Sequence, residues 1–220
     1  MNSFYTLEDF AFNSSWKVGM LNYRDHPILF IDDVYKHPLR VYGYLKQCPI
    51  RSHKGISDDS KNGKWFYDGQ HYVNNKWDPC REKLFDKIID FYHITPDPKA
   101  EYPPLSMYNQ FRLIENHPGQ DYFFSPHIDN KLNLCLYLNP DCGGSSGTTI
   151  YWPTSENAEE MLGRNTEHSD PWMNTMYRPE LSIISKFNSM VVFPGQWPHG
   201  QTIIDNRFKE KTRFTEVAFF

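Results

Sequence analysis

The chain has 220 residues, 39% hydrophobic and 16% aromatic, with 23 Lys and Arg against 27 Asp and Glu for a formal charge of -4. That length suits one domain with a hydrophobic core of its own, and the balance of charge gives no electrostatic footprint for a nucleic-acid backbone or an anionic membrane surface. Four cysteines, Cys48, Cys80, Cys135 and Cys142, form no C-x-x-C pair and suggest neither a zinc cage nor a secreted disulfide framework. The first residues lack a basic stretch followed by an apolar one, and no apolar run approaches the roughly eighteen residues that a bilayer requires. The expectation is a soluble, cytoplasmic protein with neither a nucleic-acid nor a membrane partner; nothing in the chain speaks to its oligomeric state.

Ile28-Leu29-Phe30-Ile31, bounded by Pro27 and Asp32-Asp33, reads as a strand. Val34, Pro38, Val41 and Leu45 follow near helical spacing, with Asp33 expected to cap the first turn. A second helix has Asp78 at its N-cap, Pro79 at its first position and Leu84, Ile88 and Phe91 on one face, running through Ile94. After Pro103-Pro104 the period becomes two. Met107, Asn109, Phe111 and Leu113 alternate with Tyr108, Gln110 and Arg112, and Leu132, Leu134, Leu136 and Leu138 alternate with Lys131, Asn133, Cys135 and Tyr137, which predicts half-buried strands. Further strands are expected at Thr148–Trp152, Met190–Phe193 and Arg213–Phe220. Residues 153–186 read as a polar insert with weak helical character around Glu156 to Leu162, suited to a lid. Helices first and strands after predict an α+β fold with the strands in a sandwich or barrel. Residues 1–220 are thus expected to form one domain, 1–104 supporting a core of 105–220.

The residues suited to chemistry are His127-Ile128-Asp129 and the distant His199. Two imidazoles and one carboxylate on one face of a metal leave three positions open, the donor set of Fe(II) oxygenases. On a strand, residues i and i+2 share a face, so an H-x-D can chelate. A second H-x-D, His168-Ser169-Asp170, sits in the polar insert before Pro171, with no strand following, which argues against it. In the last strand Arg213, Thr215, Val217 and Phe219 share a face, and a guanidinium beside a hydroxyl is shaped for a carboxylate. Arg207 is the rival anchor, in a stretch that reads as a turn. Parity adds Tyr108, Gln110 and Arg112 as one polar face and places Asn133 in phase with His127 and Asp129. Trp152, Trp172, Tyr177 and Trp197 are candidates for the cavity mouth, and Cys135 and Tyr137 are expected to pack inside.

The order of these parts resembles the Fe(II)/2-oxoglutarate-dependent dioxygenases, in particular their small bacterial and phage-type, prolyl-hydroxylase-like members. The matching pieces are Pro126-His127-Ile128-Asp129, Leu136-Tyr137-Leu138-Asn139-Pro140, Gly143-Gly144 to Gly147-Thr148-Thr149, Phe187-Asn188, Val192-Phe193-Pro194-Gly195, His199 and Arg213-Phe214-Thr215. The distance from His199 to Arg213 is longer than the family's usual gap, and the turn of Gly143 to Thr148 carries extra residues. The resemblance implies a double-stranded β-helix of jelly-roll type with supporting N-terminal helices. It also implies Fe(II) on His127, Asp129 and His199, and 2-oxoglutarate and O2 as co-substrates. Arg213 and Thr215 would hold the far carboxylate, with Tyr108 and Asn133 as further co-substrate contacts. The reaction implied is hydroxylation of a C–H in a peptidyl side chain or small metabolite, with Asp129 favouring hydroxylation over halogenation. Two other readings use the same residues: a non-catalytic, cupin-like binding protein, which has no need of the Arg213–Thr215 pair, and a zinc hydrolase, for which no Glu lies beside either histidine.

Overall fold

The structure is a computed structural model. It describes residues 5–47, 65–71, 78–95, 106–113, 126–129, 131–141, 144, 146–154, 177–203 and 211–220. Its strands are β1 (Lys17–Tyr23), β2 (His26–Asp32), β3 (Trp65–His71), β4 (Ser106–Leu113), β5 (Leu132–Tyr137), β6 (Ser146–Pro153), β7 (Tyr177–Ile184), β8 (Ser189–Pro194), β9 (His199–Ile203) and β10 (Arg213–Phe219). Helix α1 spans Pro38–Gln47 and α2 spans Pro79–Phe91. A seven-stranded sheet has the order β1-β2-β8-β5-β10-β4-β3 and a three-stranded sheet the order β7-β6-β9. Every strand pair is antiparallel. Among the described residues no helix is long and apolar enough to cross a membrane.

The large sheet is covered on both faces, and the alternation of β5 decides which residue goes where. Leu132, Leu134, Leu136 and Leu138 pack with Phe214 of β10, Val192 of β8, Leu29 and Ile31 of β2, and the helical residues Val41, Leu45, Leu84, Phe85 and Ile88. Cys135 and Tyr137 pack the other way, with Ile28, Val191, Phe193 and Val217, against Ile150 and Ile183 of the small sheet. The molecule is therefore layered as helices, large sheet, small sheet. The expectation of a half-buried β5 is corrected: all six of its residues are buried, because a strand between two layers has no solvent face.

Helix α2 starts as its sequence predicts. Asp78 accepts a hydrogen bond from Cys80 N at 3.0 Å and Pro79 occupies the first turn, where a missing N–H costs nothing. Its regular part ends at Phe91, short of Ile94. Asp33 does not cap α1. It adopts a left-handed φ of 61° and pairs with Lys17, while Arg40 N and Val41 N donate to the His37 carbonyl, so the helix begins at His37-Pro38. Strands β1 and β3 were not expected. The insert of 153–186 is shorter than expected, since Tyr177–Ile184 forms β7 along β6; the helical stretch proposed at Glu156 to Leu162 lies outside the described residues.

Candidate metal centre

His127 stands ahead of β5 and meets the first residue of β9 across an isolated antiparallel bridge. His127 N donates to His199 O at 3.0 Å and His199 N donates back to His127 O at 2.9 Å. Residues facing each other across such a pair project to the same side, and the two imidazoles lie 4.5 Å apart, centroid to centroid. Asp129 follows in a loop rather than on the strand that was expected. The turn before β9 holds it: Asp129 N donates to Gly195 O at 2.8 Å, and Gln196 Nε2 donates to Asp129 O at 3.0 Å. The chelating geometry thus comes from one bridge and two loop contacts.

One donor atom from each of His127, Asp129 and His199 lies within 4.8 Å of the others. His199 Nε2 is 3.0 Å and His127 Nε2 3.9 Å from Asp129 Oδ2. Ligands about 2.1 Å from one ion and at right angles stand about 3 Å apart, so the first pair already has that spacing. The tautomer of His199 follows from its other nitrogen, which is 2.8 Å from the Trp197 carbonyl. A carbonyl only accepts, so Nδ1 carries a proton and Nε2 is the nitrogen turned toward Asp129, available as the ligand atom. His199 is buried, whereas His127 and Asp129 are half-buried. The donor set fits a divalent transition metal such as Fe(II).

Asn133, in β5, touches this centre. Its Nδ2 is 2.7 Å from Asp129 Oδ2 and 2.7 Å from His199 Nε2. Further along the same sheet, Arg213 and Thr215 are both 3% exposed. Arg213 Nη1 donates to Thr215 Oγ1 at 3.2 Å and Nη2 to Gly147 O at 3.1 Å. Register places them: Phe219, Val217 and Thr215 of β10 stand across from Asn133, Cys135 and Tyr137 of β5. The pair is therefore on the face that carries Asn133, with Thr215 about 14 Å and Arg213 about 20 Å of strand away at roughly 3.4 Å per residue.

Tyr108 is placed differently from expectation. It pairs with Glu216, and Gln110 with Phe214, while Asn109 and Phe111 stand across from Thr215 and Arg213. Because strand residues alternate between faces, the register positions of Tyr108, Gln110 and Arg112 go with the helix-side face of β10. Arg207, His168, Asp170 and Trp172 lie outside the described residues. Tyr177 is buried. Trp152 lies under the Arg24 guanidinium at 3.6 Å, and Trp197 meets Tyr23 and His26 edge to face.

One polar residue, Gln201, escaped the sequence reading, and another, Tyr137, was expected only to pack inside. Tyr137 hydrogen-bonds Thr148 Oγ1 at 2.8 Å, and its ring lies 6.0 Å from the Arg213 guanidinium. Gln201 follows His199 in phase on β9, across from Thr148. Phase with Asn133 and His199 was the available signal for each. Cys135, between Asn133 and Tyr137, is fully buried, and burial pushes its thiol up to about 12 against the pull of the Arg213 guanidinium. It remains a neutral thiol.

Compared by sequence, the chain matches no protein-family model and no curated protein. By structure it is similar to a prolyl 4-hydroxylase of Phytophthora capsici, at 12% identity and a TM-score of 0.44 over 86% of this chain and 57% of that one. It is also similar to HygX of Streptomyces hygroscopicus, solved with nickel and 2-oxoglutarate bound, at 8% identity and a TM-score of 0.42 over 86% of this chain and 80% of that one. A prolyl-4-hydroxylase of Pseudomonas putida is a third, at 8% identity and a TM-score of 0.36 over 83% of this chain and 97% of that one. The chain spans 57% of the length of the Phytophthora protein. What the centre can do follows from its own donor set.

Proposed function

We propose that the protein is an Fe(II)- and 2-oxoglutarate-dependent oxygenase that hydroxylates a C–H of a peptidyl side chain or small metabolite, its facing sheets forming a double-stranded β-helix. One observation carries this reading. A two-histidine, one-carboxylate donor set lies against Asn133 of β5, and a buried guanidinium–hydroxyl pair stands on the same face of the large sheet as Asn133. A protein that only holds a metal has no use for the second feature, and a hydrolytic zinc site needs an acid or base that the described residues do not place beside the triad.

Iron bound at the triad would supply the redox chemistry, in which one oxygen atom of O2 enters the substrate C–H and the other ends in the new carboxylate of succinate as 2-oxoglutarate loses CO2. The remaining work belongs to the chain. His127, Asp129 and His199 would hold the metal from one side and leave the opposite side open. Arg213 and Thr215 would take the far carboxylate of the keto acid with charge-assisted bonds, in a wall where Tyr137 and Thr148 add hydroxyls. Phe193, whose ring meets His199 at 4.9 Å, together with Ile150 and Val191, keeps the centre dry on the inner side.

The test is an anaerobic titration of metal-free protein with Fe(II) and then 2-oxoglutarate, followed in the visible range for the charge-transfer band of a chelated keto acid. The expected result is a band that Arg213→Ala weakens far more than Arg207→Ala does. Fe(II) binding without a band would replace the oxygenase by a jelly-roll metal protein of another kind.

A further inference from the structure

Asn133 is placed more tightly than packing requires. It is 2% exposed, on a strand whose neighbouring positions are Leu132, Leu134, Cys135 and Leu136. Its Nδ2 stands 2.7 Å from both the carboxylate oxygen Asp129 Oδ2 and the ring nitrogen His199 Nε2. Its Oδ1 is buried and has no hydrogen-bond partner among the described residues. A buried amide with an unmet acceptor is destabilising, and an apolar side chain of the same size would fill the position without that cost. The amide therefore belongs to the chemistry of the centre.

We propose that Asn133 is the positioning residue of the metal centre, resting on the reading of His127, Asp129 and His199 as metal ligands. One amide N–H donates to Asp129 Oδ2 and fixes that carboxylate beside the two imidazoles that would hold the metal with it. Ligation through His199 Nε2 uses the lone pair that the second N–H addresses, so this N–H is released on metal binding. That loss opposes binding, but the charge-assisted bond kept at Asp129 holds the carboxylate in place beside the imidazoles before the metal arrives, so its ordering is not a cost of binding. Removing the amide therefore weakens metal binding, within the 10–100-fold range, roughly, of groups that orient metal ligands.

The experiment compares the full chain with Asn133→Leu, which has the size without the donor, and Asn133→Thr, which keeps a donor. Co(II) is titrated anaerobically and its visible bands are recorded, with thermal unfolding of the metal-free proteins as the control for folding. The expected result is a Co(II) affinity about 10-fold or more lower in the Leu variant, an altered Co(II) band pattern, and partial restoration of both by Thr. A purely structural role would lower the melting temperature without changing the Co(II) spectrum. The proposal is overturned if the Leu variant binds Co(II) with wild-type affinity and spectrum, or if Leu and Thr weaken binding equally. If the wild-type chain itself binds no Co(II), the metal reading fails first. The absence of a keto-acid band in a chain that binds metal would remove the oxygenase reading and leave the role of Asn133 standing.

Discussion

Asp129 and Asp170 close two triplets of the same H-x-D pattern, and among the described residues His199 stands beside the first. Asp129→Ala is expected to abolish Co(II) or Fe(II) binding in an equilibrium titration while the far-ultraviolet circular dichroism is unchanged, and Asp170→Ala to leave binding as it is; the opposite pattern would move the centre into the insert. A different aspartate governs the N-terminal segment. The Arg40 guanidinium, 2.8 Å away, and the Thr6 amide hold the Asp9 carboxyl at about 2, below its ordinary 3.8. A carboxylate whose folded value is depressed adds stability that is complete above its unfolded value and is lost as the pH falls through the folded one. Docking of residues 5–12 against α1 is therefore expected to persist at neutral pH and to weaken between pH 3.8 and about 2. Arg40→Ala should remove that part of the acid limb, as read by amide exchange of this segment against pH.

Strands β6 and β10 show what a single element contributes. Gly147 has the close approach that its lack of a side chain allows: a Cβ there would sit 1.8 Å from the Ile183 carbonyl of β7. The same residue's carbonyl accepts from Arg213. Gly147→Ala is expected to cost about 1–3 kcal/mol in chemical denaturation by forcing β6 from β7, and to weaken 2-oxoglutarate binding along with it. Strand β10 divides its residues by parity. Arg213, Thr215 and Val217 face the small sheet, while Glu216 faces the helices, accepting from Arg81 at 2.9 Å and Tyr35 at 2.5 Å. The Arg81 guanidinium lies between the Phe12 and Phe85 rings at 5.1 and 4.8 Å. Cutting one side of a buried ion pair leaves the other charge without compensation, so Arg81→Met should destabilise the fold by about 3–5 kcal/mol, whereas the double change to Met and Gln should recover part of that in the same denaturation assay. Elements whose pattern matched one of these parities were legible from sequence. Strand β7 was not: Pro179 and Glu180 interrupt its alternation at the point where its register against β6 shifts. Such an interruption is tolerated because β7 is an edge strand. Strand β1 was missed because it is exposed on both faces, with Val18 59% and Met20 58% exposed, and so carries no alternation.

Across the whole molecule the centre is a joint between layers. His127 and Asp129 come from the segment that enters β5 of the large sheet, and His199 opens β9 of the small one. A ligand that binds only the folded chain adds about 2.7 kcal/mol at a hundred times its dissociation constant, and in a chain of this size that raises the melting temperature by roughly 5–10 °C. Co(II) or Ni(II) is expected to produce such a shift in differential scanning fluorimetry, and Asp129→Ala to lose it. The chain by itself determined the residue types and their phase: H-x-D before a strand, a distant histidine after a Pro-Gly turn, and arginine and threonine in step on the last strand. These are local facts, set by the two-residue period of a strand and by turn chemistry. Only the tertiary structure decided which faces meet. The bridge between His127 and His199, the burial of β5 on both sides, the displacement of Tyr108 to the helix-side register and the contact of Asn133 with two ligand atoms all depend on strands distant in sequence pairing in one register. That register is chosen by the packing of two layers against the large sheet, which no single segment encodes.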